Sequence, residues 1–314
     1  MTEPQQPTPV PAWVLIGVFA VLGLIWGSSF LWIKVALRTL EPQTLIAYRI
    51  VLGAGAMLIY LRWRGHRLPR TPGELGPLAG LGLIATALPF FLISWGEQHL
   101  DSGTASVLNS LTPIFTMIIA ALVLHSESVG RMRALGVITG FGGAVLLASR
   151  EFALRGDPLA VVAAVAVTVA ALSYAVGANL SRHLLGSMSR DVVAAGNLTF
   201  AALFAVAFAV VTGADLAPPA SAEAVVSVVW LGLLGSFAAF VMLYFLFDHA
   251  GATVTSTVGY LFPVVGVTLG VIFLGELLDW RLVVGAGLVV VSFGLIGLRY
   301  DQVVRWINRG GSRS

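Results

Sequence analysis

Apolar residues arrive in long blocks, and polar residues fill only the short gaps between them. The blocks cover roughly 13–37, 44–61, 75–98, 102–124, 131–149, 158–181, 190–212, 223–247, 252–275 and 280–300. A helix needs about 20 apolar residues to cross the hydrocarbon of a bilayer, so the pattern predicts an all-α membrane protein with ten transmembrane helices. The gaps hold most of the proline, charge and turn residues. None has room for a soluble domain, and no GxxxxGK[ST] segment occurs, which argues against a nucleotide-driven pump. Residues 1–12 are rich in Pro and Gln and carry no basic stretch, so they are expected to form a disordered tail and not a cleaved signal.

Composition agrees with this pattern. Of 314 residues, 58% are hydrophobic and 11% charged, and the mean hydropathy is +0.93. Soluble domains average about 45–50% apolar and about 25% charged, so a soluble globular class and a disordered chain are both excluded. The chain has no cysteine, which removes disulfides and thiolate chemistry. His66, His99, His125, His183 and His249 are scattered without metal-ligand spacing. No metal or other cofactor is expected, and the dispersed arginines do not make the basic patch of a nucleic-acid binder.

Charge decides the expected orientation. With the N-terminus cytoplasmic, the inner gaps hold Arg62, Arg64, Arg67, Arg70, Arg131, Arg133, Arg182, Arg190, Arg299, Arg305, Arg309 and Arg313, while the outer gaps hold Arg38, Arg150, Arg155 and Arg281. Basic loops stay inside, so both termini are expected in the cytoplasm, with residues 301–314 as a basic tail. Lys34 and Arg49 fall within spans.

The chain also repeats itself. LGLIATALPF (81–90) corresponds to LGLLGSFAAF (231–240), and Pro113, Glu127 and Gly136 correspond to Pro263, Glu276 and Gly285. Residues 13–149 and 158–300 are then two five-helix copies joined by an outer linker, 150–157. An odd number of spans per copy forces opposite orientations, giving inverted repeats around a central cavity, an architecture of secondary transporters.

On these residues the sequence resembles the drug/metabolite transporter superfamily, and within it the EamA-like ten-helix exporters. The resemblance rests on Trp26-Gly27-Ser28-Ser29, on Arg49, on Pro113 with His125-Ser126-Glu127, and on Pro263 with Gly275-Glu276. It implies an inner-membrane carrier that exports small metabolites, often amino acids including aromatic ones. Ser126 stands where the second copy has Gly275, so the paired motif is not uniform.

Polar and aromatic side chains within spans are the candidate substrate contacts: Trp26, Ser29, Phe91, Ser94, Trp95, Gln98, Asn109, Tyr174, Asn179, Tyr244, Ser256 and Tyr260. Aromatic faces attract an ammonium group, and amides and hydroxyls orient a small solute; each residue could equally serve helix packing. Arg49 has two readings, structural pairing and gating. Pro113 and Pro263 are matched kinks that serve as hinges or as static bends. Lys34, with Glu41, Glu97 and Asp101 nearby, either meets a substrate carboxylate or ties helix ends together. Glu127 and Glu276 either gate the carrier or cap the start of the next helix. No Asp or Glu falls near the middle of a span, which favours facilitated flow over proton-coupled export of drugs or other metabolites. An integral-membrane enzyme would need a nucleophile with its base at depth, and a channel would need a charged ring or filter loop; neither pattern occurs. The expected partners are a small-molecule substrate and the lipid bilayer, with the chain a monomer or weak homodimer.

Overall fold

The computed structural model describes residues 10–122, 131–184 and 187–296. The His125-Ser126-Glu127 motif and the tail at 301–314 lie outside the described residues, as does most of the 1–12 segment. Among the described residues every regular element is helical. We label them α1 (Ala12–Ala36), α2 (Pro42–Trp63), α3 (Pro72–His99), α4 (102–122), α5 (Arg131–Arg155), α6 (Pro158–Leu184), α7 (Arg190–Val211), α8 (Ala222–Gly251), α9 (Val254–Leu274) and α10 (Trp280–Ile296), the chain turning between α8 and α9 at Gly251 (φ 81°). Nine are long and apolar enough to cross a membrane, and α10 is a shorter apolar helix over its described length.

Lipid cannot satisfy backbone polar groups, so a spanning chain must pair them within helices. Sequence signals set the helix starts. Pro42 and Pro72 occupy first-turn positions, where a missing N–H costs nothing. Asp157 and Asp279 accept from the main-chain N–H groups of Leu159 (2.8 Å) and Leu282 (2.9 Å), capping α6 and α10. α5 continues through Arg155, so the connection to α6 is only Gly156 and Asp157, shorter than the linker expected at 150–157. Large apolar side chains such as Ile59, Val145 and Val211 point outward, as a lipid-facing surface requires.

The packing repeats between the copies. α2 packs on α7, α4 on α9 and α5 on α10. α1 packs on α8 and α9, as α6 packs on α3 and α4; α2 meets α8 as α7 meets α3. Exchanging α1–α5 with α6–α10 leaves this pattern unchanged, the signature of a pseudo-two-fold axis. Local breaks obey it too. α3 passes through a π-helical segment at Leu83–Ala87 and α8 through one at Trp230–Ala238. α4 is interrupted between Asn109 and Thr112, and α9 by a 3₁₀ turn, Thr257–Leu261. Pro113 and Pro263 stand in the first turn after these two breaks.

Small residues bring the copies close. A Cβ on Gly266 would stand 2.4 Å from Ser106, and one on Gly143 would stand 2.7 Å from the Gly285 carbonyl oxygen. The α4–α9 and α5–α10 crossings therefore depend on absent side chains. The glycine seams are thus used inside the chain.

Candidate solute cavity

Between the two copies lies a cavity of about 120 Å³. α1 contributes Trp26, Ser29, Phe30 and Ile33; α3 contributes Phe90 and Ile93. The remainder of the wall comes from α2, α4 and α6–α9, including Asn109, Tyr174, Asn197, Phe240, Tyr244 and Phe262. The cavity extends from the level of Ile33 and Ile93 to that of Ser181, Phe247 and Ser256, near the end of the bundle where α1 begins.

The π-helical segments explain why polar groups gather here. Such a segment widens the helix and frees main-chain carbonyls for other donors. In α8 the freed Gly235 carbonyl accepts from Trp26 Nε1 (3.0 Å) and from an Arg49 guanidinium nitrogen (3.3 Å). Arg49 Nε donates to Ser236 Oγ (3.1 Å), and the guanidinium lies 3.8 Å from the Phe90 ring centroid. In α3 the Ile84 carbonyl accepts from Ser173 Oγ, and Thr86 Oγ1 donates to Asn197 Oδ1 (2.8 Å). The repeat alignment pairs Thr86 with Ser236 and Phe90 with Phe240. Asn197 on α7 is therefore the two-fold counterpart of Arg49 on α2. One copy presents a cation at this position and the other an amide.

Arg49 is buried, and it is the only ionic side chain among the described residues lining the cavity. A guanidinium has five N–H donors, and two are used. Asn109 is also buried, and its Oδ1 has no hydrogen-bond partner among the described residues. Trp26 presents its ring edge-to-face with Phe240 and Phe262 at about 6.4 and 6.3 Å. The wall thus offers spare donors at one point, a spare acceptor at another, and aromatic surface between them.

Of the residues singled out in sequence, Trp26, Ser29, Arg49, Asn109, Tyr174, Tyr244 and Ser256 line this cavity. The others lie elsewhere. Phe91 packs edge-to-face on Phe208 (4.8 Å) and Trp95 lies against His99. Ser94 is buried with no partner for its Oγ among the described residues, and Gln98 is exposed. Asn179 Nδ2 donates back to the Ala175 carbonyl, and Tyr260 stacks on Phe293 of α10 at 3.9 Å. Pro113 faces the α9 break: a Cβ on Gly259 would stand 3.8 Å from its ring. Phe90, beside Phe91 in the third span, lines the cavity, as do Asn197, Ser181 and Phe247, which were not singled out. Asn197, an amide in the apolar run AAGNLTFAAL, met the same criterion that selected Asn109.

The other end of the bundle, where α1 ends, is held by ions. Arg150, fully buried, donates to Glu151 (2.6 Å), Asp101 (3.0 Å), Asp279 (3.0 Å) and the Leu277 carbonyl (2.6 Å). It links α4, α5 and the turn into α10. Lys34 Nζ donates to the main-chain carbonyls of Glu97 and Leu100, closing the C-terminus of α3. This is the helix-tying role, and among the described residues it is played to main-chain carbonyls. Glu276 does cap a helix, but not the next one. Its carboxylate accepts from the N–H groups of Ser102 (2.6 Å) and Gly103 (2.9 Å) at the start of α4, in the other copy. Gly275, in the left-handed conformation (φ 67°), turns the chain back to allow this.

Comparison with known proteins gives a consistent answer. The EamA-like transporter family model matches twice, at residues 13–149 and 161–298. An "uncharacterized transporter" of Archaeoglobus fulgidus is 27% identical over 89% of this chain and 97% of its own. The "uncharacterized inner membrane transporter YedA" of Escherichia coli is 26% identical over 90% of both chains. A "probable terminal-alkyne amino-acid exporter" of Streptantibioticus cattleyicolor is 28% identical over 87% of this chain and 90% of its own. One crystal structure shares the fold with a TM-score of 0.65 at 19% identity, covering 93% of this chain and 99% of that one.

Proposed function

The chain belongs to the EamA-like transporter family, a membrane transporter, and from that premise we propose that it exports small amphipathic metabolites, amino acids in particular. The observation that carries this reading is Arg49. It is a buried cation with spare donors on an otherwise uncharged aromatic wall, suited to hold a carboxylate. The unpaired Asn109 Oδ1 can accept from an ammonium group, and the rings around Trp26 give an apolar side chain its contact area. The Streptantibioticus relative, named as an amino-acid exporter, supports the same class.

Transport proceeds by alternating access. The breaks before Pro113 and Pro263 lie on the two-fold where the copies meet, and serve as hinges. Both termini face the cytoplasm, as the arginine bias favours, and the cavity mouth near Ser181 and Ser256 then faces inward. The inner membrane is the site of action, in line with the name of the Escherichia coli relative. The internal use of the glycine seams supports a monomer.

Counterflow tests the function. Proteoliposomes holding the full chain and loaded with unlabelled L-phenylalanine are expected to accumulate labelled L-phenylalanine transiently above equilibrium, with saturation. Flux that never saturates across a panel of amino acids, or no exchange with any of them, overturns the reading.

A further inference from the structure

We propose that Glu97 is the proton-carrying group of this carrier, one proton entering for each solute that leaves. The inference rests on the transporter reading above and names how that transport is driven. Glu97 occupies the last turn of α3, where its neighbours in sequence suggested an outer turn residue. Its side chain is instead fully buried, and both carboxyl oxygens lack any hydrogen-bond partner among the described residues.

Its surroundings make this exceptional. Asp101 and Glu151 are held by Arg150 and Arg155, Asp279 by Arg150, and Glu276 by two main-chain N–H groups. None of the charged groups facing Glu97 hydrogen-bonds its carboxyl among the described residues. Lys34 of α1 donates to the main-chain carbonyls of Leu100 and of Glu97 itself, Arg49 of α2 to Ser236 and Gly235, and Glu276, beyond α9, accepts from α4. His99 on its own helix end faces Asp157 at 3.6 Å. α6 presents only Ala163 and Val167 to the adjoining Gly96. Thus several charges surround a carboxyl group that none of them hydrogen-bonds among the described residues.

Glu97 also stands between two spaces. Ile93, one turn earlier, lines the central cavity. Lys34 and Glu276 line a second pocket of about 450 Å³ at the opposite end, with Arg38, Asp101 and Arg155. An ionised carboxylate held dry with no donor is strongly disfavoured, and the neutral acid is not. While the outer end is open, the Glu97 carboxylate takes a proton from a hydronium ion of the outer water: one hydronium O–H bond breaks, leaving water, and the carboxyl O–H bond forms before the end closes. When an ammonium-bearing solute enters the cavity, its charge favours the carboxylate. The same O–H bond then breaks, and the proton passes to cavity water. No electrons change hands, and the inward proton gradient drives the solute outward.

The test uses proteoliposomes loaded with labelled L-phenylalanine. For wild type, acid outside is expected to raise the efflux rate about fivefold or more over no gradient. In E97Q that ratio falls to one, and in E97D it is retained. Infrared difference spectra between about pH 5 and pH 9 are expected to show the carbonyl stretch of a protonated acid that E97Q lacks. A wild-type ratio of one, an E97Q that still responds, or no such band overturns the proposal. If wild type shows no counterflow, the amino-acid reading fails and the infrared comparison decides the role of Glu97 alone. If E97Q does not fold, E97D and the wild-type pH spectra decide it.

Discussion

Arg49→Gln is expected to weaken binding of L-phenylalanine about 30-fold or more, while binding of phenethylamine, which lacks the carboxylate, changes little. Truncating one partner of a buried, hydrogen-bonded charge pair costs about 2–5 kcal/mol, and each 1.4 kcal/mol is tenfold. Glutamine can still donate to Ser236 Oγ or the Gly235 carbonyl, the two groups that hold Arg49, so the α2–α8 contact is expected to survive. Arg49→Lys keeps the charge but not the planar fork that matches a carboxylate, and is expected to fall between. Competition against labelled L-phenylalanine in proteoliposomes measures all three. Equal losses for amino acid and amine would make Arg49 a structural tie, not a carboxylate anchor.

The largest effect on stability is expected from Arg150→Ala. Arg150 and Glu151 are both fully buried, and the substitution leaves Glu151 with Thr104, the Asp101 N–H and the half-exposed Arg155. Breaking a buried ion pair by removing one partner costs about 3–5 kcal/mol, whereas replacing both partners by apolar residues is often neutral. Thermal unfolding in detergent should therefore show a marked loss for Arg150→Ala and a partial recovery for the double variant R150M/E151L. Asp279 belongs to the same network. Burial alone would raise its carboxyl, but the Leu282 N–H and Arg150 outweigh that and hold it below the usual range. Its contribution is thus complete at neutral pH and is lost only as pH falls through that depressed value. A double variant no more stable than Arg150→Ala would place the loss elsewhere than at the stranded Glu151.

The number of helices was legible because lipid leaves a chain so few options: a long apolar run must cross as a helix. The duplication was legible through Pro113 and Pro263, and the structure shows their meaning as markers of paired breaks. What faced the cavity was far less legible. A spanning helix is apolar toward both lipid and neighbours, so Phe90 and Phe91 look alike in sequence. Only packing shows that one meets Arg49 and the other Phe208. The π-helical segments have no sequence signal of their own, yet they supply the carbonyl that fixes Trp26 and Arg49. Glu276 follows a capping rule, but local rules look to the next helix, and the fold provides α4 from the other copy. Glu97 was misleading for the same reason: two residues from a helix end suggests water, and the packing of α1, α2 and α6 around that turn removes it.

That one cavity is reached in turn from both membrane faces is tested most directly by labelling Ala178→Cys. Ala178 is a small residue on the cavity wall, and the chain has no other cysteine. A membrane-impermeant thiol reagent should react with Cys at this position in right-side-out and in inside-out vesicles, with saturating substrate slowing both reactions. Labelling from one face only, unchanged by substrate, would contradict a shared cavity that opens alternately.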